Sequence, residues 1–215
     1  MRELDWFEEF NRKRANAESF GSIRSWMPSN FQSCHRIFHP FYRSLGHGLV
    51  TWRAVAAEVD LPWRCNLSYQ EMYLAAVMGS RPWILDSCYL NVSPPLDQFE
   101  SLIEALSEGT SGDELWLVFS EGVSEDSEQL VIEQRALLGG EIVQLLPATK
   151  AIFDELDRAP NACWPADHSW IVRYPLDCVG STLVGASNSA VYSRALELFE
   201  NCPLEMDWDS GFLFS

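Results

Sequence analysis

The segment LDQFESLIEALSEGTSGDELWLVFS, residues 96–120, decides the fold class, because a helical pattern and a strand pattern follow one another in it. In Leu96–Ser107 the apolar residues recur at helical spacing, and the preceding Pro94-Pro95 is a typical helix start. Leu115–Ser120 is a short continuous apolar run, which is typical of a strand buried on both faces. The segment therefore predicts a helix followed by a buried strand.

The same alternation continues outward from this segment. Ser68 and Glu71 form an S-x-x-E capping box, which predicts a helix over Ser68–Gly79 with Gly79 as its left-handed stop. The apolar spacing predicts three further helices, over Leu4–Phe20, Ala148–Arg158 and Ser187–Asn201. Four more segments have the residues and length of strands: Trp83–Leu90, Glu141–Leu146, Ser169–Tyr174 and Ser181–Val184.

Two segments remain ambiguous at this level. Leu49–Val59 fits a strand followed by a turn of helix, or one short helix, and Ser124–Leu138 fits a helix or an acidic loop leading into a strand. The alternation as a whole predicts an α/β fold with helices packed on a central mixed sheet, and α+β is the alternative. We expect one layered domain over residues 1–215, with residues 1–48 forming an N-terminal helix and a loop-rich lead-in.

The charge of the chain is strongly negative and unevenly placed. The net charge is −16, and 47% of the residues are hydrophobic, so the composition is globular rather than disordered. Residues 1–64 have a balance of +2 and residues 65–215 one of −18, and no Lys, Arg or His stands between Arg81 and Arg135. Such a surface disfavours nucleic acid and anionic membranes and attracts a basic protein partner. The alternative is that the acidity only keeps the protein soluble.

Two features predict a cytoplasmic protein. The longest apolar runs are far shorter than the roughly 20 residues of a spanning helix, and the charged N-terminus lacks the apolar region of a secretory signal. The six cysteines form no C-x-x-C pair, and in a reducing compartment we expect them to be small buried hydrophobic residues: Cys34, Cys65, Cys88, Cys163, Cys178 and Cys202.

Neither a metal site nor a cofactor site is predicted. His35, His39 and His47 lie close together, but no acidic residue nearby completes a ligand set, and His39-Pro40 is more typical of a chain turn. The chain has neither the G-x-G-x-x-G nor the Walker pattern of nucleotide sites.

The main catalytic candidates lie in the segment Cys163–Ser187; the carboxylates of Asp97–Glu133 could also form a general acid/base pair or hold a divalent cation, but they are more typical of a solvent-facing charge run. Asp167 and His168, with Ser181 as nucleophile and Asp177 close by, have the residue types of a nucleophilic set, although no G-x-S-x-G elbow is present. The alternative is that these residues serve a strand pair and its turns. Partner contacts are expected from an acidic block and two tryptophans: Asp97, Glu100, Glu104, Glu108, Asp113, Glu114, Glu121, Glu125, Asp126, Trp164 and Trp170.

Three pieces of the chain resemble a group of uncharacterised bacterial proteins of about this length. They are an F-H-P…W-x-x-V-A segment within residues 36–56, the run LWLVFSEG at residues 115–122, and a W-P-x-D-x-S-W…D…S-T-x-V-G segment within residues 164–185. The chain departs from the group's pattern at Cys163, His168 and Ala186, where that pattern has a second Trp, a basic residue and a second Gly. The resemblance implies a shared fold and no particular activity.

The sequence leaves three functions open. The first is a protein-binding module, such as an immunity protein that neutralises a basic toxin. The second is a small hydrolase or transferase that uses Asp167, His168 and Asp177. The third is a regulatory adaptor whose partner the sequence does not indicate, and the sequence predicts no oligomeric state either.

Overall fold

The computed structural model describes residue 6 and residues 23–28, 30–43, 48–80, 88–90, 95–108, 110, 112–119, 133–136, 142–156, 158–174, 180–188 and 192–208. Within these residues the strands are β1 (Ser33–Phe38), β2 (Phe41–Arg43), β3 (Leu49–Val50), β4 (Cys88–Leu90), β5 (Leu115–Phe119), β6 (Glu133–Ala136), β7 (Ile142–Ala148), β8 (Ala162–Pro165), β9 (Trp170–Arg173), β10 (Ser181–Ala186) and β11 (Asn201–Leu204). The α-helices are α1 (Trp52–Glu58), α2 (Tyr69–Met78), α3 (Leu96–Ser107) and α4 (Ser193–Leu198), and the 3-10 helices are η1 (Ile23–Trp26) and η2 (Lys150–Glu155).

The strands form two sheets. The larger has eight strands in the order β11-β1-β10-β9-β8-β5-β7-β6, and the smaller has the order β3-β2-β4. Helices and strands are mixed, as predicted, but the large sheet dominates. Every pairing between the described strands is antiparallel, so the expectation of mixed strand directions is wrong for them. None of the described helices is long and apolar enough to cross a bilayer.

The helix and strand of residues 96–120 are confirmed as α3 and β5. The capping box is confirmed as well: the Glu71 amide donates to the Ser68 hydroxyl at 3.1 Å, and a Glu71 carboxylate oxygen accepts from the Ser68 amide at 3.0 Å. The predicted role of Gly79 is wrong, because its φ is −75°. Ser80 takes the left-handed conformation instead, with φ 56°.

The segment predicted as a loop-rich lead-in contributes to both sheets. β1 pairs with β10 on one side and with β11 on the other, and β2 belongs to the small sheet. His39 and Pro40 separate β1 from β2, so the expected turn at this dipeptide marks the passage between the sheets. The described part of residues 21–48 therefore holds two strands and a 3-10 helix between irregular stretches, rather than only a loop-rich connection.

Three further predicted segments form regular structure, and two of them are shorter than predicted. Leu49–Val59 is a strand followed by a helix, the first of the two alternatives. The helix predicted over Ser187–Asn201 is only α4, because Asn201 already begins β11. The helix predicted over Ala148–Arg158 is the shorter η2.

The other predicted strands lie where they were expected, as far as the structure describes them. Strand β7 confirms the one predicted at Glu141–Leu146, and β9 and β10 confirm the last two. Trp83–Leu90 is described only at β4, Ser124–Leu138 only at β6, and Leu4–Phe20 only at Trp6, which is helical.

Apolar side chains cover both faces of the large sheet. Leu117 of β5 and Val172 of β9 share one cluster with the apolar face of α3, including Phe99 and Ile103. Neighbouring residues on the same strands, such as Val118, point to the opposite face, where they meet η1 and the chain after it. This two-sided burial explains why the strand sequences read as continuous apolar runs.

A third cluster of buried apolar side chains joins α1, α2 and the small sheet. Two features connect this cluster to the large sheet. Arg36 of β1 is 1% exposed. Its guanidinium donates to the Ser181 hydroxyl of β10 at 2.9 Å and to the Leu67 carbonyl oxygen at 2.8 Å. A disulfide joins Cys65, in the connection between α1 and α2, to Cys202 of β11. The expectation that all six cysteines are reduced is therefore wrong for this pair.

Gly185 of β10 offers a test of the packing between the sheet and η1. A Cβ atom at this position would lie 2.6 Å from Met27 Sδ and 2.9 Å from Phe31 Cδ2, and both side chains are buried. We expect Gly185→Ala to lower the free energy of unfolding by about 1–3 kcal/mol, as overpacked cores do. Urea unfolding measures this loss, and the same substitution in a Met27→Ala background should cost less. Equal costs in the two backgrounds would contradict the predicted clash.

Candidate functional site

The turn between β8 and β9 holds two of the predicted catalytic residues. The His168 amide donates to the Pro165 carbonyl oxygen at 3.0 Å and closes the turn. Asp167 Oδ1 accepts from the Ser169 amide at 3.0 Å. Asp167 therefore stabilises the turn with a carboxylate that remains exposed, a common role for Asp in turns.

A stack of aromatic rings covers this turn. His168 has a left-handed backbone, with φ 54°, and its ring lies parallel to the Trp6 indole, with 4.3 Å between the centroids. Trp6 in turn contacts Trp164, at 5.4 Å between centroids. Trp6 and His168 are half-buried, so part of the stack faces solvent. Trp6 is not predictable from the sequence as part of this site, because no local pattern places residue 6 beside residue 168.

The two tryptophans expected to contact a partner do not reach the surface. Trp164 and Trp170 are both 0% exposed and belong to the clusters on opposite faces of the large sheet. They are core residues rather than contact residues. Their place in strands with apolar side chains on both faces accounts for the error.

The structure does not bring the proposed nucleophile to the Asp167–His168 turn. The Ser187 amide donates to the Ser169 carbonyl oxygen, so that end of β10 adjoins the turn. Ser181 lies at the other end of β10, about 20 Å away at the rise of a strand. It is 0% exposed, and its hydroxyl accepts from Arg36. The remaining catalytic candidate, Asp177, lies outside the described residues.

The carboxylates of α3 lie along its solvent side, as predicted. Asp97, Glu104 and Glu108 are exposed and Glu100 is half-buried, while the opposite side of the helix is packed in the core. Glu108 forms an ion pair with Arg194 of α4, whose Nη1 atom lies 2.7 Å from Glu108 Oε1. Within the described chain, the other three carboxylates have no ion-pair partner.

Two more carboxylates lie beside the β8–β9 turn. Asp113 and Glu114 are exposed just before β5. The Glu114 carbonyl oxygen accepts from the Ala166 amide at 3.1 Å, which brings this segment against the turn that carries Asp167. Seven side chains are hereafter called the acidic surface: Asp97, Glu100, Glu104, Glu108, Asp113, Glu114 and Asp167. Glu121, Glu125 and Asp126 lie outside the described residues.

Two of the clustered histidines serve the packing of the large sheet. His39 is 2% exposed, and its Nε2 lies 2.8 Å from the Thr182 hydroxyl. His35 packs its ring against Tyr192, and burial lowers the pKa of its imidazole. Among the described residues, no three His, Cys, Asp or Glu side chains lie close enough together to bind a metal ion. His47 lies outside the described residues.

Two cysteines behave as predicted. Cys34 and Cys163 are free thiols in the core, and burial raises the pKa of Cys163 well above its ordinary value. A thiol that stays protonated is a poor nucleophile, so Cys163 has the properties of a packing residue. The side chains of Cys88 and Cys178 lie outside the description.

The sequence analysis missed an apolar surface on α2. Leu74 is 50% exposed and Met78 85%, and Tyr73 and Val77 beside them are nearly half exposed. These residues stand at i, i+1, i+4 and i+5, so they share one side of the helix. A signal was available, because the predicted helix over Ser68–Gly79 has almost no polar residue with which to face water.

Comparison of the chain with models of protein families, with curated proteins and with solved structures found no match. The resemblance of residues 36–56, 115–122 and 164–185 to a bacterial group therefore stays a prediction. Function has to be inferred from the arrangement of the described residues alone.

Proposed function

We propose that the protein is a binding module that receives a basic protein on its acidic surface, as an immunity protein receives a toxin. The observation that carries the proposal is the row of exposed carboxylates on α3 and before β5, most of which lack an ion-pair partner in the described chain. A surface that serves only solubility has both signs of charge interspersed, whereas Arg194 is the one cation that pairs with this row among the described residues.

The charge of the whole chain supports this choice of partner. With a net charge of −16, the protein attracts cations over distances of about a Debye length and repels phosphate backbones and anionic lipid. Carboxylates that lie on one side of a helix concentrate this potential. A basic partner would therefore associate rapidly and in a preferred orientation.

The Trp6–His168 stack, rather than the buried Trp164 and Trp170, is the aromatic contact of this proposal. Trp6 packs in the cluster on the face of the large sheet opposite α3, so the stack adds to the part of the acidic surface at the β8–β9 turn. It lies on the same turn as Asp167, and both rings are half-buried. An arginine side chain of the partner would find a carboxylate and an aromatic face together there, a combination that binds guanidinium groups well.

We also infer that the helices form layers on the large sheet, because the apolar face of α3 and the inner residues of β5 and β9 belong to one cluster. The expected cytoplasmic location and the Cys65–Cys202 disulfide point in opposite directions, since disulfides are rare in that compartment. Trapping of thiols in intact cells decides between them. Reduced Cys65 and Cys202 would support the cytoplasm, and a bonded pair would support an oxidising compartment.

The proposed function is tested by capturing partners from a lysate of the source cells. The test variant carries Glu104→Gln, Asp113→Asn and Glu114→Gln. The control carries Asp60→Asn, Glu205→Gln and Asp207→Asn, three exposed carboxylates outside the acidic surface, so both variants change the net charge equally. We expect the wild type and the control to capture a basic protein at low salt, and the test variant to capture much less of it.

The identity of the captured protein distinguishes the functions left open by the sequence. A basic toxin would support the immunity function, and a basic protein of another kind would support the regulatory adaptor. Capture that is equally strong with the test variant, or undiminished at high salt, would overturn the proposal.

A further inference from the structure

The outer side of α2 is built as a contact surface. Four of the seven large apolar side chains exposed by the described chain lie on this ten-residue helix: Tyr73, Leu74, Val77 and Met78. The opposite side of the helix already packs in the core through Met72 and Ala76. A surface helix normally turns polar residues to water, and contiguous exposed apolar side chains mark interaction sites.

The chain that leads into α2 and forms it carries little net charge. Residues 49–80 carry two arginines and three carboxylates, a balance of −1 in a chain whose net charge is −16. Two ion pairs involve this segment: Arg64 pairs with Glu71, and Glu58 pairs with Arg43. A basic partner would find little to neutralise here, and the charge of the whole chain repels an anionic membrane.

A second copy of the chain meets these conditions. Two molecules of charge −16 repel each other least where each is nearly neutral, and the same apolar side chains would then face one another. We propose that the protein forms a two-fold symmetric dimer in which the outer sides of the two α2 helices pack together. In such a dimer both copies use the same surface, so one apolar stripe on each copy is enough to form the whole interface. The inference does not depend on the acidic surface or its partner.

The dimer is expected to be weak. A ten-residue helix is about 15 Å long, so its side offers less than the roughly 800 Å² per partner of a standard interface. Sedimentation equilibrium of the full chain, at concentrations from about 1 μM to 1 mM, should therefore show a monomer converting to a dimer.

The effect of salt separates this interface from the acidic surface. Added NaCl should strengthen the dimer, because it screens the repulsion between two negatively charged copies. The same salt should weaken binding of a basic partner, so each proposal can fail without the other. A protein that is monomeric at every concentration and salt level would overturn the dimer.

A matched pair of variants locates the contact. Leu74→Glu should raise the dissociation constant of the dimer at least about tenfold, because it places like charges in an apolar interface. Leu198→Glu is the control, since Leu198 is 56% exposed on a different helix, α4. Both substitutions are at exposed sites, and unchanged thermal unfolding would show that both variants fold. Equal dimerisation by the two variants would overturn the assignment to α2.

Discussion

Replacement of Arg36 by alanine is expected to lower the free energy of unfolding by about 3–5 kcal/mol. The Arg36 guanidinium is almost completely buried and donates to Ser181 and to the carbonyl oxygens of Cys65 and Leu67. It also lies over the Phe38 ring, at 4.5 Å from the centroid. Alanine would leave buried acceptors without this donor and open a cavity where the side chain was.

Urea unfolding of Arg36→Ala, followed by tryptophan fluorescence, measures this loss. Arg36→Lys should recover only part of it, because one ammonium cannot reproduce the fork of the guanidinium. Arg53→Ala is the control, since Arg53 is exposed and contacts the face of Trp63. A similar small loss for Arg36→Ala and Arg53→Ala would show that Arg36 does not fasten the small sheet to the large one.

Removal of the Cys65–Cys202 disulfide should have an effect of similar size. The two residues are 137 positions apart, and the entropy of so long a closed loop corresponds to about 4–5 kcal/mol of stability. Cys65→Ala/Cys202→Ala should therefore unfold at a much lower urea concentration than the oxidised wild type. Cys34→Ala is the control, because Cys34 is a buried free thiol and its replacement should cost only the packing of one sulfur.

A reducing agent provides the second half of this test. Dithiothreitol should lower the stability of the wild type towards that of the double variant and leave the double variant unchanged. Thiol titration of the unfolded protein should show that reduction releases two more thiols from the wild type than from the double variant. An unfolding midpoint that is the same with and without reductant would contradict a stabilising disulfide.

Patterns within a few residues of one another predicted much of the fold. The capping box of α2, the apolar face of α3 and the continuous run of β5 are local signals, and the structure confirms each of them. The exposure of the α3 carboxylates was predicted in the same way, since charges at i and i+4 fall on the side opposite the core.

Features that depend on distant residues were not predictable. β1 is a strand because β10 and β11, far along the chain, supply its hydrogen-bond partners. Glu200 accepts from the Trp52 and Arg53 amides and so caps α1 from 148 positions away. Three other features also depend on residues far apart in the sequence. They are the disulfide, the Trp6–His168 stack and the separation of Ser181 from the β8–β9 turn. Spacing in the sequence carries no information about such contacts.

The proposed function requires that a basic protein bind at the acidic surface. The most direct measurement is the dissociation constant for the captured partner over a series of salt concentrations, with the wild type, the Glu104→Gln/Asp113→Asn/Glu114→Gln variant and the matched control. The dissociation constant should rise with salt for all three, and the rise should be clearly smaller for the first variant alone. The same salt dependence for both variants would mean that the partner does not bind at this surface.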